Sequence, residues 1–489
     1  MQPLNSTTAP KAKRPERILQ FGEGNFLRGF VEWIVQQLNR QTDFNASVVV
    51  VKPRPGSLQR LLSQDCLYHV NLQGLSEGKP VDSLECIDCI SRAVSPYDNY
   101  DDYLALADLP DLRFIVSNTT EAGISFDSTC QLTDTPPSSF PAKLTQLLYR
   151  RFRTFRGDPK KGVVILPCEL IMDNGKCLTE CIHRYISLWA EDLMPDLPAF
   201  RRWFDQSCYV CTTLVDRIVP GFPQKDIEAI NQRTGFDDQL VVRAEPYHLW
   251  VIQTAPNLPL ETLARQFPTI PENLQIIFTT DESPYHLRKV TLLNGPHTVL
   301  SPVAFLAGLD IVRDACQHDI VGRFIHRVIY DELLPTLNLP TEELDQFAAD
   351  VLQRFCNPFV DHQLTSIMLN SFPKYQTRDL PALKTYLKRR GTLPQGLVIG
   401  LAAICIYYRG GKRADGTPIQ PNDDPQILQL LASLWASEDV QVVAEGVLAA
   451  KELIWHEHGD LNKIPGLTSA LADEMQRILE HGILQTIDR

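Results

Sequence analysis

Within the stretch SPYHLRKVTLLNGPHTVL, Lys289, Asn294 and His297 fall inside nine residues, with His286 just ahead of them. On an ideal helix, at about 100° per residue, Lys289, Asn294 and His297 point to about 0°, 140° and 80°, and His286 to about 60°. Gly295-Pro296 is expected to kink or interrupt the helix, so this projection is approximate beyond Asn294. A lysine, a carboxamide and an imidazole converging on one point suit carbonyl reduction. A buried lysine can have its pKa lowered toward neutrality and exchange a proton with an alkoxide or hydroxyl. The Asn amide can stabilise negative charge developing on oxygen, and the His can hold substrate hydroxyls. A surface lysine followed by a helix-terminal Asn and His would give the same spacing.

A second constellation lies near the start. The run RILQF is followed by GEGNFLRGF, which carries Gly22, Gly24 and Gly29. The first glycine permits a tight turn, and the second lets backbone approach a pyrophosphate at a helix N-terminus. Strand, glycines and helix in that order are what a dinucleotide site requires, and Asn25 and Phe26 open the helix. The match is imperfect, because Leu27 holds the third glycine position and Gly29 comes two residues later. The next strand, SVVVV, runs into Lys52-Pro53-Arg54 with no acid to bond ribose hydroxyls. Basic residues there could accept a 2′-phosphate or be solvated loop charges. The chemistry alone leaves NAD and NADP both open.

The elements that must position these groups follow from the pattern. Residues 1–16 read as a flexible polar tail. From Arg17, Val/Ile-rich strands (17–21, 47–51, 112–116, 163–167) alternate with helical patterns near 25–38 and 142–155. That alternation argues for a parallel sheet covered on both faces. Residues 66–93 read as additional strands inserted among these units, and further strands are expected at 208–215, 240–244, 248–253 and 274–280. After Ser283 only long helical patterns follow. The expected fold is an α/β Rossmann-like domain with extra strands over 17–283, then a mostly α-helical domain over 284–489. The chemistry is expected where the two parts join.

Composition bounds the function. The 489 residues suggest two or three domains. Lys plus Arg total 47 and Asp plus Glu total 59, a net charge of −12 with no basic block, so a nucleic-acid partner is not expected. The apolar run 397–408 is too short to span a bilayer, and the N-terminus has no apolar signal core, so a cytoplasmic protein is expected. The 12 cysteines are too sparse for a disulfide scaffold. Cys86/Cys89 and Cys208/Cys211 are too far apart for a zinc ribbon, and in strands i and i+3 face opposite ways, so buried thiols are expected.

K-x-x-x-x-N-x-x-H after a nucleotide-binding domain resembles the polyol-specific long-chain dehydrogenases, the mannitol dehydrogenase family. The resemblance covers nearly the whole chain: GEGNFLRGF, VSNTTEAGI (116–124), PCELI, TLVDRIVPG (213–221), SPYHLRKVTLLNGPH and NPFVDHQLTSIMLNSFPKYQTRDLP (357–381). PCELI, LVDRIVPG, and NPF-x-x-H with LNS-x-x-K look most like the branch acting on keto-hexuronates. The resemblance implies a metal-independent, NAD-dependent, reversible reduction of tagaturonate to altronate. It implies that Lys289 is the general acid in reduction and base in oxidation, that Asn294 helps form the oxyanion site, and that His297 positions hydroxyls. Asp216 matches an aspartate lining cofactor and active site. Lys374 matches a lysine at the far end of the substrate. Glu121 matches the glutamate of the T-E-x-G turn beside the nicotinamide.

Three departures argue against mannitol as substrate. Leu170 stands where mannitol dehydrogenases carry a second oxyanion donor, His286 replaces a glutamate, and Ser366 replaces a polyol-gripping arginine. A uronate carboxylate calls for a cation: Lys374 first, then Arg378 and Arg217, although Arg217 could instead brace Asp216. Fructuronate reductase or mannitol-type specificity, a zinc-dependent dehydrogenase and a non-catalytic nucleotide-binding protein are the competing readings.

Overall fold

The run SVVVV shows how the first part folds: Val48 and Val50 enter one apolar cluster, Val49 and Val51 another. Successive side chains of a strand point to opposite faces, so both faces of this sheet are covered. The computed structural model describes residues 1–120, 122–270, 274–413 and 415–489. The chain divides into one unit of residues 1–73 and 80–282 and a second of residues 74–79 and 283–489.

The first unit centres on six parallel strands: β1 (Glu16–Phe21), β2 (Ser47–Val51), β3 (Ile90–Val94), β4 (Phe114–Ser117), β5 (Val164–Pro167) and β6 (Tyr209–Val210). Their spatial order is β3-β2-β1-β4-β5-β6, the order of the doubly wound dinucleotide-binding sheets. Ile90–Val94, read from the sequence among the inserted strands, is thus the edge strand of the main sheet. Helices α1 (Asn25–Gly29) and α2 (Val31–Gln41) link β1 to β2, and α3 (Phe140–Thr154) and α4 (Asn174–Leu188) flank β5. The extra strands form two three-stranded sheets. One joins β7 (Thr212–Asp216), β8 (Leu249–Gln253) and β9 (Ile276–Thr279). The other joins Tyr68–Ser76, Lys79–Ile87 and Val242–Ala244.

The first sixteen residues do not form the flexible tail expected of them. Gln2–Pro3 pair in parallel with Phe236–Asp237. Leu4 and Ala9 are buried with Leu67, and Lys11 donates to the carbonyls of Asp65 and Ser91. Apolar side chains and main-chain pairing offset the ordering cost that polar composition alone suggested would go unmet.

From Ser283 on, the described residues are mostly helical, as expected, with a short antiparallel pair of Gly411–Lys412 and Pro418–Ile419. The helices that matter to the site are α5 (Ser283–Lys289), α6 (Gly295–Leu306), α7 (Thr341–Phe355), α8 (Ser371–Arg378), α9 (Leu380–Arg390) and α10 (Gln395–Arg409). α6 is buried from Gly295 to Phe305 and α10 from Gly396 to Tyr408. The two pack closely because Gly400 carries no side chain: a Cβ there would lie 2.8 Å from Val299 Cγ1. Among the described residues no helix is long and apolar enough to cross a membrane. The described cysteines are all free thiols, and burial pushes the Cys208 and Cys211 thiols up to about 12.

Candidate active site

In the first unit the turn after β1 is held from several sides. Gly22 adopts φ +125°, and a Cβ there would sit 2.9 Å from the Asn118 carbonyl, so only glycine fits. Its N–H donates to Val51 O at 2.9 Å, and its carbonyl accepts from Gln20 Nε2 at 2.9 Å. Gly24 is different: its φ is −67°, and a Cβ would meet nothing within 4 Å. That open space beside backbone at the start of α1 is the cradle a pyrophosphate needs. Gly29 performs the packing task of the third fingerprint glycine, since a Cβ there would meet Val242 and Val219 at 3.0 and 3.1 Å. Leu27, in the usual third position, is instead buried in the core. These residues fit a dinucleotide.

Arg28, which the sequence reading passed over, clasps this turn. It donates to Glu23 O at 3.3 Å, Asn25 Oδ1 at 2.7 Å and Leu240 O at 2.6 Å. The signal in the sequence was an arginine directly after Phe26 and Leu27 in GEGNFLRGF. Phe26 stacks on Phe30 with ring centroids 5.1 Å apart. Lys52 pairs with Glu23. The turn after β4 is fixed by Glu169 of the PCELI motif, whose carboxylate accepts from Thr119 N and Oγ1 at 2.9 Å and from Ser117 Oγ at 3.0 Å. Glu121, one residue beyond Thr120, lies outside the described residues. Asp216 is buried at the end of β7, in register with Leu249. Leu170 is 61% exposed after β5.

Arg217 is placed with the structural braces and not with cations that could face a substrate. Its Nε donates to Glu245 O and its Nη1 to Gly29 O, both at 2.8 Å, and its guanidinium lies 4.2 Å from the Trp33 ring. Burial lowers its pKa to about 9.

In the second unit, Lys289 ends α5 and Asn294 ends a π-helical turn, Val290–Asn294, that leads into α6. The break expected at Gly295-Pro296 is therefore an i→i+5 turn just before it, with Pro296 in the first turn of α6. Such turns occur often at functional sites, and the wider register brings residues five apart closer to one face than 140° implies. Arg288 anchors the segment: it is buried, lies 4.4 Å from the Phe347 ring of α7 and stands 3.8 Å from Glu343. Lys289, His286 and Asn294 are half-buried.

His297, on the first turn of α6, is buried between Phe355 and His362, with ring centroids at 4.1 and 5.4 Å. Burial, then His362, Arg354 and Arg378, hold its pKa well below the usual range, so the imidazole is neutral. Lys374 and Arg378, one turn apart on α8, extend this cluster. Arg378 Nη1 donates to Thr298 Oγ1 at 3.2 Å, and Thr298 Oγ1 donates to Asn294 O at 3.1 Å. Lys374 Nζ donates to Ile367 O at 2.7 Å. Burial and the Arg378 charge lower the Lys374 pKa, and burial, then Lys374, lowers that of His362. Neither Lys374 nor Arg378 makes an ion pair among the described residues. The sequence reading quoted His362 within NPFVDH without assigning it a place here. Asp379, beside Arg378, is fully buried, and burial holds its carboxyl well above the usual carboxylate range against the Arg378 charge. The cluster thus gathers two cations and two imidazoles, with the Thr298 hydroxyl bonded to Arg378 and the Asp423 and Asp379 carboxyls near Lys374 and Arg378.

Comparison with known proteins agrees with both halves. Residues 16–262 match the model of the mannitol dehydrogenase Rossmann domain, and residues 281–479 that of the mannitol dehydrogenase C-terminal domain. The chain is 60% identical over 488 residues to an altronate oxidoreductase of Phocaeicola vulgatus, covering 100% of this chain and 99% of the relative. It is 43% identical over 493 residues to the altronate oxidoreductase of Bacillus subtilis, covering 100% and 98%. Among solved structures, a D-sorbitol dehydrogenase in substrate-free form aligns with TM-score 0.80 at 19% identity, covering 99% of this chain and 100% of that one. The Pseudomonas fluorescens mannitol 2-dehydrogenase in a ternary complex with NAD and D-mannitol aligns with TM-score 0.68 at 19% identity, covering 99% of each. At that identity the structures attest the fold. With both of its domains matched and full-length relatives of this similarity, the chain belongs to the mannitol dehydrogenase family.

Proposed function

We propose that this oxidoreductase reduces a keto-hexuronate, tagaturonate, reversibly to altronate with NADH. The observation that carries the sugar-acid reading is the cluster of the second unit in which Lys374, Arg378 and two imidazoles gather, the two cations making no ion pair among the described residues. A carboxylate is the group such a set receives, through charge-assisted hydrogen bonds. The altronate oxidoreductases that match over the full chain support the same substrate.

The dinucleotide, when bound at the Gly22–Gly24 turn, supplies the hydride. The remaining work belongs to side chains of this chain. In reduction the Lys289 ammonium gives its proton to the keto oxygen, and in oxidation its amine takes the hydroxyl proton. The Asn294 amide donates to the same oxygen while charge builds on it. His297, held neutral by burial, gives its ring N–H to the Leu293 carbonyl and offers its other nitrogen as an acceptor for a substrate hydroxyl. Arg378 steadies the Asn294 turn through Thr298 and, with Lys374, holds the carboxylate end. Asp216 and Glu121 are assigned to cofactor binding and His286 to substrate binding.

The test is NADH oxidation with tagaturonate, fructuronate and fructose side by side. Tagaturonate is expected to exceed fructose in kcat/KM by about a hundredfold, the loss expected for leaving buried charges unpaired. Comparable values for the two would refute the argument from the cation cluster.

A further inference from the structure

Two cations stand at the end of β2 where a ribose-binding acid is usual, which on sequence alone would favour a 2′-phosphate. The structure engages both elsewhere. Lys52 Nζ donates to the carboxylate of Glu23, the residue between the two glycines of the turn. The lysine side chain is only 13% exposed. Gly56 makes room for it: φ there is +141°, and a Cβ would lie 2.8 Å from Lys52 Cε. Arg54 reaches the other way, donating to Thr119 O at 3.2 Å and Thr120 Oγ1 at 2.9 Å. Thr119 is itself held by Glu169, so Arg54 belongs to the scaffold of the turn after β4.

We infer that Glu23 sets the choice of dinucleotide: it neutralises Lys52 and supplies, from the glycine turn, the acid missing at the end of β2. A carboxylate at that place accepts from ribose hydroxyls. A 2′-phosphate there would face a like charge and would have to displace Glu23 from Lys52. The inference rests on the dinucleotide reading of the turn, and it makes the two basic residues markers of NAD selectivity.

The test uses the full-length chain and the intrinsic fluorescence of NADH and NADPH, titrated without sugar substrate. Wild type is expected to bind NADH more tightly. Glu23→Gln frees Lys52, and the affinity ratio should move toward NADPH by about tenfold, the size of one hydrogen bond to a charged group. Lys52→Met leaves the carboxylate unpaired and should move the ratio toward NADH. Opposite movements in two partners of one pair are not what a general loosening of the turn produces. Binding of NADH with a ratio unchanged within about twofold in Glu23→Gln overturns the inference. Failure of wild type to bind either dinucleotide overturns the dinucleotide reading itself, and the inference with it.

Discussion

The glycine turn of the first unit and the cluster of cations and imidazoles of the second are built in different ways. Most of the turn lies within nine successive residues, Phe21 to Gly29, and its constraints are backbone constraints: a positive φ at Gly22, open space at Gly24, close packing at Gly29. The cluster draws Asn294, His297, Phe355, His362, Lys374 and Arg378 from three segments spread over 85 residues of chain. Its constraints are those of burial and charge. A backbone device can be read from spacing, because glycine is needed where no other residue fits. A charge device cannot, because its members mean nothing until packing brings them together.

The largest expected effect tests the residue proposed to move the proton. Lys289→Ala should lower keto-uronate reduction by about 10²- to 10⁴-fold, the usual worth of positioned acid–base catalysis, with NADH affinity held within about twofold. Stopped-flow NADH oxidation and fluorescence titration separate the two. Turnover near that of wild type would remove the lysine from its assigned role.

Next comes the cation cluster. Arg378→Met or Lys374→Met should raise KM for the keto-uronate by about 10- to 100-fold. Neither should change NADH affinity, which depends on the other region. Because Arg378 also holds Thr298, its variant should lower kcat as well, whereas Lys374→Met should act on KM alone. Equal kcat losses in both would mean that Arg378 has no part in steadying the Asn294 turn.

The contrast between backbone and charge also explains what the sequence disclosed. The strand alternation, the glycine turn and the change to helices after Ser283 were legible because each repeats a local pattern. The Lys289/Asn294/His297 spacing was legible as a motif, although the π-helical turn that orients it was not, since no residue type marks a π-turn. Arg217 was placed among the substrate cations because charge suggested it. Only the carbonyls of Gly29 and Glu245 and the face of Trp33 show that it is a brace. His362 and Arg28 were missed for the converse reason, that their partners are distant or lie in the main chain. The amino-terminal residues looked unfoldable by composition, and pairing with Phe236–Asp237 was invisible from their own sequence.

Two buried groups, one in each unit, titrate with opposite sign. In the first unit His248 accepts from Gln275 N through Nε2, and burial lowers its pKa to about 3. The unfolded state therefore binds the extra proton, and this group's stabilising contribution falls as pH drops below about 6.5 toward 3. In the second unit Glu332 accepts from the first amides of α10, Gly396 N and Leu397 N, and burial raises its pKa from 4.5 to about 7. Here the native state binds the extra proton, so stability is lost as pH rises from about 4.5 through 7, by on the order of 3 kcal/mol. Denaturant melts of wild type and Glu332→Gln should show their stability gap moving toward the variant between pH 5 and pH 8. The gap cancels the acid-side contribution of His297, which both proteins share. A gap that stays constant would mean that Glu332 is ionised throughout.

The smallest effect divides the two glycines of the turn. Gly22→Ala must place a Cβ at φ +125° and 2.9 Å from the Asn118 carbonyl, so it should cost about 1–3 kcal/mol of stability. Gly24→Ala meets no atom within 4 Å and keeps an ordinary φ, so its stability should stay within about 0.5 kcal/mol of wild type. The methyl would nevertheless occupy the space that backbone offers to a pyrophosphate, and NADH affinity should fall by about tenfold. A stable Gly24→Ala protein with weakened NADH binding would show that this glycine serves the ligand while its neighbour serves the fold. Unchanged binding would show that both are fold residues and that the pyrophosphate lies elsewhere.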